Sequence, residues 1–156
     1  MRIFRVAAFL SALLLLLSLA HTCSAATTCP WLTQGSAVTA LGGAVTATVQ
    51  LAGSGEGSCT FTRQGRPKDV LKIVVSKAAL ESCLAGSIKP KGIGNEAALC
   101  RVERSTNQAV ELLVSRVRDF HFTVSLSVHG DELQTGINRA EETVKQIAEQ
   151  VAGNLF

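Results

Sequence analysis

The sequence has 156 residues, with 15 basic and 12 acidic side chains and a formal net charge of +3. Two of the basic residues lie in the first five positions, so the chain without residues 1–26 carries 13 basic and 12 acidic side chains, a net charge of +1. The basic total therefore gives no support for a nucleic-acid-binding protein. The remaining length of about 130 residues fits one domain with a real core.

The N-terminus has the organisation of a secretory signal peptide. Two arginines precede an uncharged apolar run of 15 residues, Val6–Ala20, and small residues follow up to Ala26. A membrane-spanning helix needs about 18 or more apolar residues, which excludes this run as an anchor. We predict cleavage after Ala26, with Ala20 as the second choice, and a periplasmic or extracellular location. Lipid modification of Cys23 is the alternative, and only that modification would hold the domain at a membrane.

Four cysteines remain after cleavage at Ala26, and an even count in an oxidising compartment predicts two disulfides. Three pairings exist. We favour Cys29–Cys59 with Cys83–Cys100, because each closes a local loop between neighbouring elements. No C-x-x-C spacing is present and histidines are few, which argues against a metal site.

Residues 27–156 are predicted to form a single α+β domain with the order α-βββ-α-βββ-α. Period-two alternation marks the strands, most clearly near the C-terminal end, and a stripe at three-and-four spacing marks the last helix. The simplest solution is an antiparallel sheet of about six strands with helices packed on one face. In chain order, the predicted elements are a helix over 33–41, strands over 44–50, 58–62 and 70–76, a helix over 78–85, strands over 99–104, 109–116 and 119–129, and a helix from after Gly130 to Ala152.

Gly92-x-Gly94-x-x-Ala97 superficially matches a dinucleotide-binding pattern. That mechanism needs a strand before the glycines and a helix after them, so that a pyrophosphate meets a helix N-terminus. Here a Lys-Pro-Lys loop precedes the glycines and a strand is predicted to follow. We therefore interpret the segment as a turn that needs glycine backbone angles, and we expect no cofactor.

Hydrolytic catalysis of the Ser-His-Asp type needs a histidine with an orienting carboxylate. Cleavage leaves only His121 and His129, both interpreted as surface residues, and no pair of carboxylates stands out as an acid and base. No catalytic residue is predicted. Basic residues are concentrated between Arg63 and Arg118, and His121, Arg101, Arg116 and Arg118 are the candidate ligand or anion surface. The scarcity of aromatic residues argues against a platform that stacks sugars or bases.

Several short motifs are similar to those of a known group of proteins. They are Cys29-x-x-Leu32-Thr33 with Ala40-Leu41-Gly42, then Cys59-x-Phe61, Gly92-Ile93-Gly94-Asn95-Glu96-Ala97, and an Ala-rich C-terminal helix. Together they resemble the exported, often lipid-anchored, domains of unknown function of actinobacterial type. The resemblance implies a cell-envelope location and a binding or accessory role, with no catalytic residues to carry over.

These observations favour a non-enzymatic exported module that binds an envelope protein, a lipid or a polysaccharide, and not a nucleic acid. The alternative is a small secreted enzyme or enzyme inhibitor whose site the sequence does not identify. A deep polar cleft around His121 or His129 would favour the enzyme, whereas a flat, hydrated sheet face would favour the binding module.

Overall fold

The computed structural model describes residues 28–80, 83, 87–105, 108–129 and 133–156, with only the backbone described at 101–105 and 133–138. The predicted signal peptide at 1–26, its cleavage site and Cys23 lie outside these residues.

The described residues form a mixed α+β domain built on one antiparallel sheet of six strands, as the alternation predicted. The strands lie in the order β1-β2-β3-β6-β5-β4, so two three-stranded meanders join through β3 and β6. The elements are helix α1 (Gln34–Leu41), strands β1 (Val45–Leu51), β2 (Gly57–Arg63), β3 (Arg66–Ser76), β4 (Glu96–Ser105), β5 (Gln108–Val117) and β6 (Phe120–His129), and helix α2 (Leu133–Leu155).

Two local predictions need correction. The third strand was predicted to begin at residue 70, but β3 begins at Arg66, because Gln64-Gly65 alone turns the chain and Arg66 pairs with Arg63. The predicted helix over 78–85 lies partly outside the described residues, and the described residues 78–80 and 83 are not helical. Cys83 is instead held against β4 by its disulfide to Cys100.

The two described helices follow from local sequence signals. Thr33 caps α1, because its side-chain oxygen accepts the Ser36 N–H at 3.1 Å, and Gly42 ends the helix in the left-handed conformation at φ 67°. Helix α2 buries an apolar stripe at three-and-four spacing and leaves its charged residues outside. The buried residues are Ala140, Val144, Ile147, Ala148, Val151 and Ala152.

The inner face of the sheet carries the core. Successive register rows place Phe61, Leu71 and Leu126 side by side, and the next row adds Ile73 and Val124. These side chains are almost fully buried in one cluster that also contains the stripe of α2 and the buried side of α1. Burying each large aliphatic or aromatic side chain stabilises the fold by about 1.5–3 kcal/mol.

The two disulfides join the predicted cysteine pairs, each of which closes a local loop. Cys29 bonds Cys59 of β2 with a Cα–Cα distance of 5.8 Å, and Cys83 bonds Cys100 of β4 with 5.4 Å. Two disulfides are typical of a domain that matures in an oxidising, extracellular-type compartment. Within the described part of the chain, the helices are too short or too polar to span a membrane.

The turn between β1 and β2 is tied to the end of β3 by Glu56. Its carboxylate accepts the backbone N–H of Lys77 at 2.7 Å and the hydroxyl of Ser76 at 3.2 Å. The Lys77 N–H bond is the main reason that the pKa of Glu56 lies below its ordinary value of 4.5. The Lys77 ammonium also lies 5.6 Å from the ring centre of Phe120, so several contacts meet at this end of the sheet.

Candidate functional site

The face of the sheet opposite the core is the candidate site, and we call it the outer face. Its side chains are those that alternate with the core residues along each strand, and nearly all are half-buried or exposed. In the order of the sheet they are Thr46, Thr48 and Gln50; Ser58, Thr60 and Thr62; Val70, Lys72, Val74 and Ser76; His121, Thr123, Ser125 and Ser127; Val110, Leu112, Val114 and Arg116; and Glu96, Ala98 and Cys100.

Hydroxyl and aliphatic side chains alternate across the outer face in strand-long rows. Strands β1, β2 and β6 contribute mainly threonine and serine, and the register aligns Thr46 with Thr62 and Thr48 with Thr60. Strand β5 contributes an aliphatic row that starts at Val110. At its described positions the face carries no phenylalanine or tryptophan, and Lys72 is the charged group near its centre. The result is a broad, nearly neutral surface.

His121 and Arg116, two of the predicted anion-binding residues, lie together at one end of the outer face. They occupy opposite positions on β6 and β5, and Glu96 of β4 lies opposite Arg116 on the other side. The guanidinium of Arg116 donates to the Glu96 carboxylate at 2.7 Å. This carboxylate competes with any external anion for the arginine.

Arg118 and Arg101 lie elsewhere. Arg118 is in the two-residue turn between β5 and β6, in a left-handed conformation at φ 52°, and its guanidinium lies 5.4 Å from the ring centre of Phe156. Arg101 is opposite Glu111 in the β4–β5 register, an inner-face position, and its side chain is outside the described residues. Of the four residues, the register places Arg116 and His121 side by side on the outer face, while Arg118 contacts Phe156.

His129 is placed beside a carboxylate that the sequence reasoning missed. Asp69 is 3% exposed, and its Oδ1 accepts the backbone N–H of His129 at 2.9 Å. The other oxygen lies 3.6 Å from the guanidinium of Arg63, which packs over the Gly42-Gly43 turn after α1. The Asp69 carboxylate thus joins β2, β3 and β6 at one end of the sheet.

The geometry at His129 differs from that of a Ser-His-Asp triad. Its Nδ1 is buried and lies 3.7 Å from Asp69 Oδ1, too far for a hydrogen bond, and among the described residues it has no hydrogen-bond partner. A Ser-His-Asp triad needs a carboxylate bonded to the imidazole and a nucleophile within reach of the other nitrogen. Here the carboxylate bonds the backbone N–H instead.

The polar residues missed by sequence reasoning lie in strands read only for their apolar alternation. Glu111 is fully buried on the inner face of β5, in a row that also contains Ala109 and Leu113. Asp69 directly precedes the apolar alternation of β3. The sequence did contain a signal for both residues, because each carboxylate alternates in phase with the buried positions of its strand. A buried charged group requires polar partners, so such a position indicates a polar contact in the core.

The Gly-Ile-Gly-Asn segment closes one end of the core, as its interpretation as a turn implied. Ile93 is 2% exposed within the core cluster, and its carbonyl accepts the buried hydroxyl of Ser115 at 2.9 Å. Gly94 has φ +62°, and a Cβ there would lie 2.5 Å from the carbonyl oxygen of Arg116. The N–H of Asn95 donates to that same carbonyl at 2.7 Å. Gly94 therefore allows close backbone packing, Gly92 adopts a positive φ of +84° in open space, and strand β4 follows them.

A groove lies between α1 and α2. This groove has a volume of about 310 Å³, and its walls include Ser36, Thr39, Glu142 and Gln146. Neither His121 nor His129 lines it. Among the described residues no group of three or more His, Cys, Asp or Glu is placed to hold a metal ion.

The outer face is therefore the candidate binding surface, and the groove between the helices is the alternative. Comparison with protein-family models, with curated proteins and with solved structures finds no match.

Proposed function

We propose that this chain is exported and acts as a non-enzymatic module that binds a protein of the cell envelope through its outer face. The observation that carries the proposal is the arrangement of that face, in which rows of hydroxyl and aliphatic side chains lie in register over six strands. The signal-peptide pattern, the two disulfides and the resemblance to exported actinobacterial-type domains support an envelope location.

The composition of the outer face favours a protein over the other partners. Polysaccharide platforms use exposed aromatic rings, which the described positions of the face lack. A polyanion would need several unpaired cations close together, whereas Arg116 is paired with Glu96 and Lys72 lies near the centre of the face between Thr60 and Ser125. A lipid surface would need a contiguous apolar patch, but the most exposed large apolar residues, Leu51, Ile88 and Phe156, are separate and lie off this face. The scarcity of charges on this face matches the core of protein interfaces, where charged residues are depleted.

The proposal takes both described helices to lie against the inner face. Their buried residues share one cluster with the inner-face side chains, which supports that arrangement. The secreted-enzyme alternative gains no support at His129, because Asp69 bonds its backbone. An enzyme inhibitor would be one form of the proposed protein-binding module.

Site-specific photo-crosslinking in the source organism tests the proposal. A photoreactive amino acid would replace Thr60 on the outer face, or Glu149 on the exposed side of α2 as a matched control. We expect a discrete protein adduct from position 60 and none from position 149. Adducts from position 149 alone, adducts of equal yield from both positions, or an adduct with glycan or lipid would contradict the proposal.

A further inference from the structure

The two edges of the sheet differ in their protection. At the β4 edge, Ile88 forms a bridge with Leu99, and the strand carries Arg101, Glu103 and Arg104. At the other edge, β1 has the sequence Val-Thr-Ala-Thr-Val-Gln-Leu, with neither charge nor proline. Charges, proline and covering segments are the usual means by which proteins block sheet edges. Within the described ranges, no segment pairs with the outer side of β1.

The hydrogen-bonding direction of β1 follows from the bonds at its two ends. The Gln64 N–H donates to Ala44 O at 2.8 Å, and the Ala52 N–H donates to Glu56 O at 2.9 Å. Because bonded pairs alternate along an antiparallel ladder, the even-numbered residues of β1 bond to β2. The N–H and C=O groups of the odd-numbered residues, such as Ala47 and Val49, therefore point to the outer side of β1. At its start, the side chain of Gln34 already donates to the carbonyl of Val45 at 3.5 Å.

We propose that β1 pairs antiparallel with β1 of a second copy of this chain, about a twofold axis at Thr48. This register brings Ala47 opposite Val49 and Val45 opposite Leu51 of the other copy, and Gln50 opposite Thr46. Apolar residues then meet apolar residues on the inner face, polar residues meet polar residues on the outer face, and no charges meet. Leu51, 52% exposed in the single chain, gains an apolar neighbour.

The proposed register is self-complementary, as a twofold interface requires. The bonded pairs fall on Ala47 and Val49, whose backbone groups point outward, and Thr48 faces its own copy in a non-bonded pair. Shifting the register by one residue would place apolar side chains opposite the polar set of the other copy. One strand pairing is smaller than a standard interface of about 1,600 Å², so the dimer should dissociate on dilution. The inference does not depend on the proposed function.

Sedimentation equilibrium on the mature, oxidised protein between about 1 μM and about 1 mM tests the pairing, since interfaces of this size dissociate in that range. We expect the wild type to move from monomer to dimer. T48K and T48E should each weaken association by about tenfold or more, because like charges then oppose each other at the axis. An equimolar mixture of the two variants should restore the dimer. The matched control Thr62→Lys, one strand inside the edge, should associate as the wild type does.

Three results would overturn the proposal. They are a wild type that stays monomeric up to the highest concentration, variants at Thr48 that dimerise unchanged, and a mixture that fails to associate although each variant has the native circular dichroism spectrum. Loss of the dimer in Thr62→Lys would likewise overturn the assignment to the edge.

Discussion

Replacing Asp69 tests the buried carboxylate that joins three strands. In Asp69→Ala the His129 N–H loses a charge-assisted hydrogen bond, which contributes about 1.5–3 kcal/mol to stability. The ion pair to Arg63 spans 3.6 Å, but the arginine side chain is 27% exposed, so solvent screening limits its contribution to about 1 kcal/mol or less. We therefore expect a total loss of about 2–4 kcal/mol in the free energy of unfolding.

Asp69→Asn separates the hydrogen bond from the charge. The amide oxygen can still accept the His129 N–H, now as a neutral bond of about 0.5–1.5 kcal/mol, so this variant should lose about half as much stability as Asp69→Ala. Lys68→Ala, an exposed neighbour on the same strand, is the control and should stay within about 0.5 kcal/mol of the wild type.

Urea unfolding of the oxidised proteins, followed by circular dichroism, measures all three variants. Asp69→Ala within about 0.5 kcal/mol of the wild type would refute the structural role of the carboxylate. Equal losses in Asp69→Ala and Asp69→Asn would show that the charge, and not the bond to the His129 backbone, accounts for the effect.

Three further predictions concern the core, the glycines and acid stability. Ile147→Ala, in the buried stripe of α2, should cost about 2–5 kcal/mol, whereas Glu142→Ala on its exposed side should cost no more than about 0.5 kcal/mol, as measured by urea unfolding. Gly94→Ala should destabilise by more than about 1 kcal/mol because of its positive φ and close backbone contact, whereas Gly153→Ala, in open space within α2, should stabilise by about 0.4–1 kcal/mol in the same assay. Because the pKa of Glu56 is lower in the folded state than its ordinary value of 4.5, its carboxylate stabilises the fold above pH 4.5, and this stability is lost as the pH falls through the folded-state pKa. Glu56→Gln should therefore reduce the acid dependence of stability, measured by unfolding curves over a series of pH values.

Each of these predictions has an outcome that would contradict it. Equal, mild losses at positions 147 and 142 would mean that α2 is not packed in the core. A Gly94→Ala variant as stable as the wild type would show that the loop can rearrange away from Arg116. An unchanged acid transition in Glu56→Gln would show that the contacts of Glu56 with Ser76 and Lys77 do not contribute to the pH dependence of stability.

Strong local patterns predicted most of the fold. The alternation in β6 was sufficient to predict a strand, and the spacing in α2 was sufficient to predict a helix, because one side of each element is apolar and the other polar. The cap at Thr33 and the stop at Gly42 marked α1 for the same kind of local reason. Locality also favoured the observed disulfide pairing.

The sequence was less informative where an element is apolar on both sides. Strand β5 carries aliphatic residues on its outer face at Val110 and on its inner face at Leu113, so alternation alone did not show which side would meet the core or that Glu111 would be buried there. The predicted strand over 70–76 starts four residues later than β3, whose first residues include Pro67, and a proline near a bulge is compatible with a strand.

The candidate site could be predicted only in part. The hydrated face of β6 was visible as an unbroken polar set, but its alignment with the threonines of β1 and β2 depends on strand order and register, which are non-local. For the same reason the sequence did not show that His121 would lie opposite Arg116, or that Arg101 would take an inner-face position opposite Glu111. Asp69 and His129 meet across 60 residues of sequence, so no local pattern connected them.

The central claim is that the outer face binds a protein partner, and one measurement tests it most directly. The tagged chain would be isolated from the envelope of its source organism, and the partner retained with it quantified by mass spectrometry. Ser125→Glu changes the centre of the outer face, and its new carboxylate lies opposite Lys72, a cross-strand pair that stabilises by about 0.2–1 kcal/mol and so preserves the fold.

Gln146→Glu introduces the same charge in the groove between the helices and is the matched control. We expect Ser125→Glu to retain about a tenth or less of the partner, because its carboxylate, although paired with Lys72, would have to leave water at the interface, and a tenfold loss corresponds to about 1.4 kcal/mol. We expect Gln146→Glu to retain the partner fully. Full retention by Ser125→Glu would contradict the proposal, and loss of the partner from Gln146→Glu instead would place the binding surface between the helices.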